Sequence, residues 1–214
     1  MIIMKWLLQK GWGSNMERRF DMKIAVNIFL ICLLSLLMVS VESASAKKIA
    51  GVDVPQTVTI ENKALVLNGA GIRKKLFIKV YVGSLYLTAK QTTAGTILTA
   101  PGAKSIVMNF LYKEVSAKRT VEGWNKGFAD NNSAKEIKVL QERINQFNSL
   151  FITVYKGDEI RLDYLPGEGT LVKINGKMKG SVPGEDFNQA LLKIWLGSKP
   201  ADSKLKDVML GNAY

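Results

Sequence analysis

Arg73 and Tyr81 are the side chains of this sequence whose chemistry points most directly to a ligand. An arginine guanidinium carries a permanent charge on a planar fork of donors, and a tyrosine hydroxyl adds a neutral donor. Side by side, the two groups can bind a carboxylate. The alternative is that Arg73 is solvated or ion-paired while Tyr81 packs in the core, and residue type alone leaves that alternative open.

The segment around these two residues is expected to hold them in place. Gly69 and Gly71 predict a glycine-rich turn, because glycine accepts backbone angles that side chains forbid. The alternating pattern that follows predicts one long strand over residues 75–88. Because residues an even number apart share a face of a strand, Arg73 and Tyr81 would lie on the same face if the strand were unbroken.

The composition excludes several other kinds of chemistry. The sequence has no histidine, and Cys32 is its one cysteine. Serine–histidine and cysteine–histidine hydrolases are excluded because their general base is missing. A zinc site would lack its usual thiolate and imidazole ligands. We therefore expect no metal and no cofactor, and no spacing brings two carboxylates together as a general acid/base pair.

The first 46 residues are expected to be an N-terminal extension followed by a secretory signal peptide. A short basic start at Met22-Lys23 precedes an apolar run from Ile24 to Val41, and Ala44-Ser45-Ala46 follows as a small-residue cleavage signal. Cleavage would leave a chain that begins at Lys47 and has no stable membrane anchor. We expect this chain to be secreted to the periplasm. The pattern leaves open whether synthesis starts at Met1 or Met22.

Residues 47–214 are expected to form one domain. This segment has 25 Lys and Arg against 15 Asp and Glu, a net charge of about +10 on 168 residues. One domain of this length buries a sizeable core. The lysines are scattered along the chain rather than clustered, so we expect no nucleic-acid partner. They keep the surface solvated and leave it able to attract anionic ligands.

The order of the predicted elements indicates an α+β fold. Hydrophobic periodicity and turn residues predict strands, then two helices, then a strand meander, then two further helices. Ser116 is a predicted N-cap, Ser133 and Glu136 form a predicted capping box, and Asn175-Gly176 is a hairpin signal. The predicted segments are 57–61, 64–67, 75–88, 105–111, 116–130, 133–151, 159–164, 170–175, 178–182, 187–197 and 202–210.

The motifs of this chain resemble those of the chalcone isomerase superfamily, and most closely its bacterial members with a signal peptide. The resemblance covers roughly residues 51–211, and the order of the motifs makes it specific. It is carried by Gly51-Val52-Asp53-Val54-Pro55, Gly69-Ala70-Gly71-Ile72-Arg73, Phe77 to Leu87, Asp163 to Thr170, Asn175-Gly176-Lys177 and Ile194-Trp195-Leu196-Gly197. The resemblance implies a large antiparallel sheet with helices packed on one face.

The family includes true isomerases, which close a flavanone ring, and plant relatives that bind fatty acids through an arginine and a tyrosine. This sequence matches the isomerases' arginine at Arg73 and their lysine at Lys118, the two weak catalytic candidates. Their threonine, tyrosine, asparagine and second threonine are replaced, in that order, by Tyr81, Val115, Glu122 and Ile194. These replacements count against flavanone chemistry, and a tyrosine at position 81 favours the fatty-acid-binding branch.

Three functions remain open from the sequence, and the first is preferred. It is non-catalytic binding of a hydrophobic carboxylate such as a fatty acid, held by Arg73 and Tyr81. Trp124 and Trp195 are expected in the helix–sheet core and are further candidates for ligand contact. The second is an isomerase, an intramolecular lyase, that uses Arg73 and Lys118. The third is an envelope structural or interaction protein whose cleft has closed.

Overall fold

The computed structural model describes residues 46–212. The predicted signal peptide up to residue 45, with Cys32, lies outside the described residues, and its predicted last residue, Ala46, begins β1. Within them, no helix is long and apolar enough to cross a membrane.

The described region contains the predicted strands and helices in their predicted order, together with elements that the sequence did not predict. Its strands are β1 (Ala46–Ile49), β2 (Val52–Pro55), β3 (Thr57–Ile60), β4 (Lys63–Lys75), β5 (Ile78–Leu87), β6 (Lys104–Phe110), β7 (Glu114–Val115), β8 (Val154–Tyr155), β9 (Glu159–Leu165), β10 (Gly169–Ile174) and β11 (Lys177–Val182). Its helices are α1 (Ala94–Thr99), α2 (Ala117–Asn131), α3 (Ala134–Asn148), α4 (Glu185–Leu196) and α5 (Ser203–Met209). The sequence did not predict α1, the β1–β2 hairpin or the β7–β8 pair.

Seven strands form one antiparallel sheet in the order β11-β10-β9-β6-β5-β4-β3. The helices pack on one face of this sheet, which confirms the predicted α+β fold. The hydroxyl of Ser116 accepts from the backbone N–H of Arg119 at the start of α2, and Ser133 and Glu136 form the predicted capping box of α3. These caps satisfy backbone donors that a helix start leaves unpaired.

Each face of the sheet carries its own core. The helix-side core joins inward residues of the central strands to the buried faces of α2, α3, α4 and α5, with Phe147, Phe187 and Trp195 almost fully buried. The opposite core is smaller and includes Val54, Leu65 and Tyr86, with the β1–β2 hairpin packed against it. Alternation along each strand therefore sends side chains to two different environments.

The predicted strand over residues 75–88 is confirmed as β5 over Ile78–Leu87, but its start and its continuity with Arg73 are wrong. The chain reverses at Leu76-Phe77, so that β4 and β5 form a hairpin in which Lys75 pairs with Ile78. Arg73 and Tyr81 are directly opposite each other in this hairpin. Opposed residues of antiparallel strands point to the same side of a sheet, so Arg73 and Tyr81 do share a face. The cause is their pairing across the hairpin and not even spacing along one strand.

The predicted glycine-rich turn before Arg73 is also wrong. Gly69 and Gly71 lie inside β4, and neither has a positive φ. A Cβ on Gly69 would overlap the carbonyl oxygen of Val208 and lie 2.8 Å from its carbonyl carbon. Glycine is needed here because the backbone of α5 approaches the strand closely, not because the chain turns.

Candidate functional site

The candidate site is centred on the pair formed by Arg73 on β4 and Tyr81 on β5. The guanidinium carbon of Arg73 lies 5.5 Å from the centroid of the Tyr81 ring, within cation–π range. Arg73 is half-buried, and Tyr81 is buried. On its other side, the Tyr81 ring packs against Phe110 of β6 with ring centroids 5.7 Å apart. The arginine therefore lies at the border between the packed interior and solvent.

The hydroxyl of Tyr81 is oriented by a tryptophan of α4. Trp195 Nε1 donates a hydrogen bond to Tyr81 Oη at 2.9 Å, and both side chains are buried. Burial raises the pKa of Tyr81 even though the Arg73 guanidinium and the Trp195 hydrogen bond act to lower it. The hydroxyl thus remains protonated, and within residues 46–212 it accepts a bond without donating one.

Arg73 itself has no carboxylate partner within the described residues. The arginines Arg143 and Arg161 each have one, Asp186 and Asp163 respectively. Asp202 lies near the site and disfavours ionisation of Tyr81, but its carboxylate accepts from the backbone N–H groups of Lys74 and Leu205. A half-buried guanidinium without an acid is an arrangement suited to an anionic ligand.

Both tryptophans proposed as ligand contacts lie in the aromatic cluster behind the site. Trp124 of α2 packs against Trp195 with ring centroids 5.7 Å apart and against Phe151 at 5.4 Å. Trp195 touches the site through Tyr81, whereas Trp124 reaches it only through Trp195. The Trp124 indole nitrogen and the Thr120 hydroxyl are buried without a hydrogen-bond partner. Two unpaired polar atoms therefore lie on the face of α2 that is turned towards the core.

The remaining positions matched to the isomerases do not assemble around Arg73. Lys118 is exposed on α2, and no hydrogen bond or ion pair of residues 46–212 joins it to Arg73 or Tyr81. Glu122 is also exposed, and no ion pair within the described region joins it to Lys118. Val115 is half-buried in β7, and Ile194 is fully packed in the core. Only Tyr81, of the replaced positions, contacts the arginine.

The surface of the described region has two cavities of about 440 Å³ each. One lies between α2 and α3, and the other lies beside β1, β4 and α5. Neither is lined by Arg73, Tyr81, Trp124 or Trp195. Aromatic rings fill the interior behind Arg73, so a ligand tail would have to separate them.

Sequence reasoning missed a buried polar cluster on the opposite face of the sheet. Asp163, fully buried in β9, accepts from Arg161 Nε at 2.8 Å, from Lys173 Nζ at 3.2 Å and from the Ser105 hydroxyl at 2.6 Å. On the same face, burial raises the pKa of Tyr86 to about 12. Arg161 and Asp163 are two residues apart on β9 and share a face, whereas Ser105 lies on β6 and Lys173 on β10. No spacing along the chain could have added those last two residues to the pair.

The comparisons with known proteins agree with this architecture. The crystal structure of an Arabidopsis thaliana fatty-acid binding protein superposes with a TM-score of 0.60 at 19% sequence identity, covering 75% of this chain and 92% of that one. No protein with a curated description matches the sequence significantly. The model of the chalcone isomerase-like family matches residues 46–211. The chain therefore belongs to the chalcone isomerase-like family.

Proposed function

We propose that this protein binds a hydrophobic carboxylate, such as a fatty acid, without transforming it. The observation that carries the proposal is the half-buried Arg73 over the Tyr81 ring, with no acid to neutralise it among residues 46–212. A ligand carboxylate would accept from the guanidinium and from the free proton of Tyr81. The structural likeness to a fatty-acid binding protein supports the same class of ligand.

The apolar tail of the ligand would enter the aromatic cluster between the sheet and the helices. Trp124, Phe151 and Trp195 would form its walls, and their rings must separate to admit it. The unpaired Trp124 indole nitrogen makes this region less costly to rearrange, because opening it breaks no hydrogen bond of that group. Predominantly apolar walls with a few placed donors are typical of small-molecule sites.

Titration of a fluorescent fatty acid against four variants tests the proposal. A charge-assisted hydrogen bond contributes about 1.5–3 kcal/mol, so Arg73→Ala should weaken binding about ten- to a hundredfold. Arg73→Lys should recover only part, because lysine lacks the planar fork. Tyr81→Phe should lose less, because it keeps the ring and removes one neutral donor. Arg119→Ala, at an exposed position on α2, is the matched control and should bind as the wild type does.

The filled interior favours a second candidate, an envelope structural or interaction protein whose cleft is permanently closed. This candidate expects no fatty-acid binding by the wild type, or equal affinities for all four variants. Either result would overturn the ligand proposal. Mass spectrometry of lipids that co-purify with the protein distinguishes the two candidates independently, because a closed interior retains none.

The isomerase alternative is the weaker one, because the hydroxyl groups of the catalytic set are replaced. Loss of a positioned proton-transfer group typically costs about 10²–10⁴-fold in rate. We expect little or no conversion of a chalcone above the uncatalysed rate. Conversion that Arg73→Ala abolishes would support the isomerase instead.

Export to the periplasm is proposed on the strength of the three-part pattern of residues 22–46. The processed chain should begin at Lys47. N-terminal sequencing of protein recovered from cells tests this, and a chain that retains residues 22–46 would favour a membrane anchor.

A further inference from the structure

The β4–β5 hairpin extends beyond the rest of the sheet. Its last pairs are Arg73 with Tyr81, Lys74 with Lys79 and Lys75 with Ile78, and Leu76-Phe77 closes the loop. The neighbouring β6 pairs with β5 only from Tyr81 onward, and its continuation bonds back to the carbonyl of Val80. The tip therefore stands about 10 Å beyond the last row shared with β6, at about 3.3 Å per residue.

The tip presents large apolar side chains to solvent. Leu76 is 86% exposed, Phe77 is 98% exposed and Ile78 is 46% exposed. Leu76 also has a φ of +56°, in the left-handed region that two-residue hairpin loops normally fill with glycine or asparagine. A leucine is a strained choice for the turn itself, so its apolar side chain has a use other than folding the hairpin.

Lysines surround these apolar residues. Lys74, Lys75 and Lys79 are all exposed, and no acidic residue lies between Arg73 and Tyr81. The acid nearest in contact is Asp202, whose carboxylate accepts from the backbone N–H of Lys74 and fixes the base of the hairpin. The tip is thus apolar at its end and positively charged around its sides.

We propose that this hairpin tip docks onto the surface of an anionic lipid bilayer. Apolar side chains that enter the boundary between head groups and acyl chains, with lysines at head-group level, are typical of interfacial anchors. Anionic lipids attract such lysines. A protein partner fits less well, because a Leu and a Phe side chain offer far less than the roughly 800 Å² per partner that a stable protein interface buries.

Docking places the candidate ligand site close to the bilayer. The Arg73–Tyr81 pair is the third from the loop, so the backbone of Arg73 lies about 10 Å from the tip. A fatty acid could then pass between the bilayer and Arg73 without crossing bulk water. This exchange rests on the proposed function, whereas the docking itself does not.

The test uses the full chain and reads the tip directly, because the apolar run over residues 24–41 could attach the chain to vesicles by itself. Phe77→Trp places an indole at the tip. Val139→Trp, at a position 67% exposed on α3, is the matched control. Both are mixed with phosphatidylcholine vesicles that contain a brominated lipid, with or without phosphatidylglycerol, and quenching of tryptophan emission is recorded.

We expect quenching of Phe77→Trp beyond that of Val139→Trp, and stronger quenching when phosphatidylglycerol is present. Replacing Lys74, Lys75 and Lys79 with glutamine should weaken the docking about fivefold per lysine. The same replacement of Lys135 and Lys138 on α3 should leave it unchanged. Equal quenching at positions 77 and 139, or quenching that ignores phosphatidylglycerol and the three lysines, would overturn the proposal.

Docking to a protein partner would give a different experimental result. Self-association in sedimentation that Phe77→Ser abolishes would assign the tip to an interface between copies of the chain and overturn lipid docking. Phe77→Ser should leave fatty-acid affinity in vesicle-free solution unchanged. Lipid docking and ligand binding can therefore fail independently of each other.

Discussion

Replacing Gly69 with alanine should destabilise the protein, because it disturbs the packing of α5 against the sheet. The added Cβ would overlap the Val208 carbonyl oxygen and lie 3.0 Å from Met209 Cα, so the obstacle is backbone that no rotamer change can relieve. Overpacking that a core accommodates costs about 1–3 kcal/mol. Full detachment of α5 from the sheet would cost more. It would expose the buried α5 side chains Leu205, Val208 and Met209, whose burial contributes about 1.5–3 kcal/mol each.

We therefore expect Gly69→Ala to lower the free energy of unfolding by about 3 kcal/mol, or the melting temperature by about 6–12 °C for a domain of this size. Gly123→Ala is the matched control. Gly123 lies in α2 with open space around its Cβ position, so alanine should stabilise the helix by about 1 kcal/mol. Urea denaturation followed by circular dichroism measures both. A Gly69→Ala variant within about 1 kcal/mol of the wild type would refute the close approach of α5.

Three further predictions concern polar groups. Asp163→Ala should lower the free energy of unfolding, measured by urea denaturation, by about 3–5 kcal/mol, because Arg161 and Lys173 are left partly buried without their acid. The control, Asp53→Ala, breaks the exposed pair with Lys48 and should lower it by less than about 1 kcal/mol. The Ser133 backbone N–H and hydroxyl, then Lys193, lower the pKa of Glu136 from 4.5 to about 2, so the stability that it contributes is complete above about pH 4.5 and lost as the pH falls towards 2. Glu136→Gln should flatten that acid limb in denaturation at a series of pH values; an unchanged limb would contradict the cap. Asp202→Ala should cost about 1–2 kcal/mol in the same assay, because it removes both the N-cap of α5 and the bond to Lys74, and a neutral effect would contradict those contacts.

The fold was largely predictable from local signals, and the main error shows where such signals fail. Capping residues and periodicity located α2, α3 and α4 to within a few residues. The β4–β5 hairpin was missed because Lys75-Leu76-Phe77-Ile78 contains none of the residues that usually mark a turn. A turn made by leucine and phenylalanine is held by the pairing of the strands on either side, which a pattern along the chain does not reveal.

The candidate site was predictable in its residues but not in its surroundings. Even spacing placed Arg73 and Tyr81 on one face, and the hairpin does the same by opposing them. The hydrogen bond from Trp195 to Tyr81 joins residues 114 positions apart. The role of Gly69 likewise depends on Val208 of the last helix. Contacts of this kind follow from the packed fold, so the sequence could supply the candidates but not the partners that orient them.

Two arginines on opposite faces of the sheet, Arg161 and Arg73, differ in whether an acid pairs with them. Arg161 projects to the smaller core, where Asp163 lies 2.8 Å from its Nε, and their charges stabilise each other. Arg73 is also half-buried but lies on the helix side, and the carboxylate of Asp202, which acts on Tyr81, accepts from backbone donors instead. Within residues 46–212 no acid pairs with Arg73, and the face of the Tyr81 ring is the group that lies against its charge. In the proposed function, a ligand carboxylate would supply the acid that Arg73 lacks, above the Tyr81 ring.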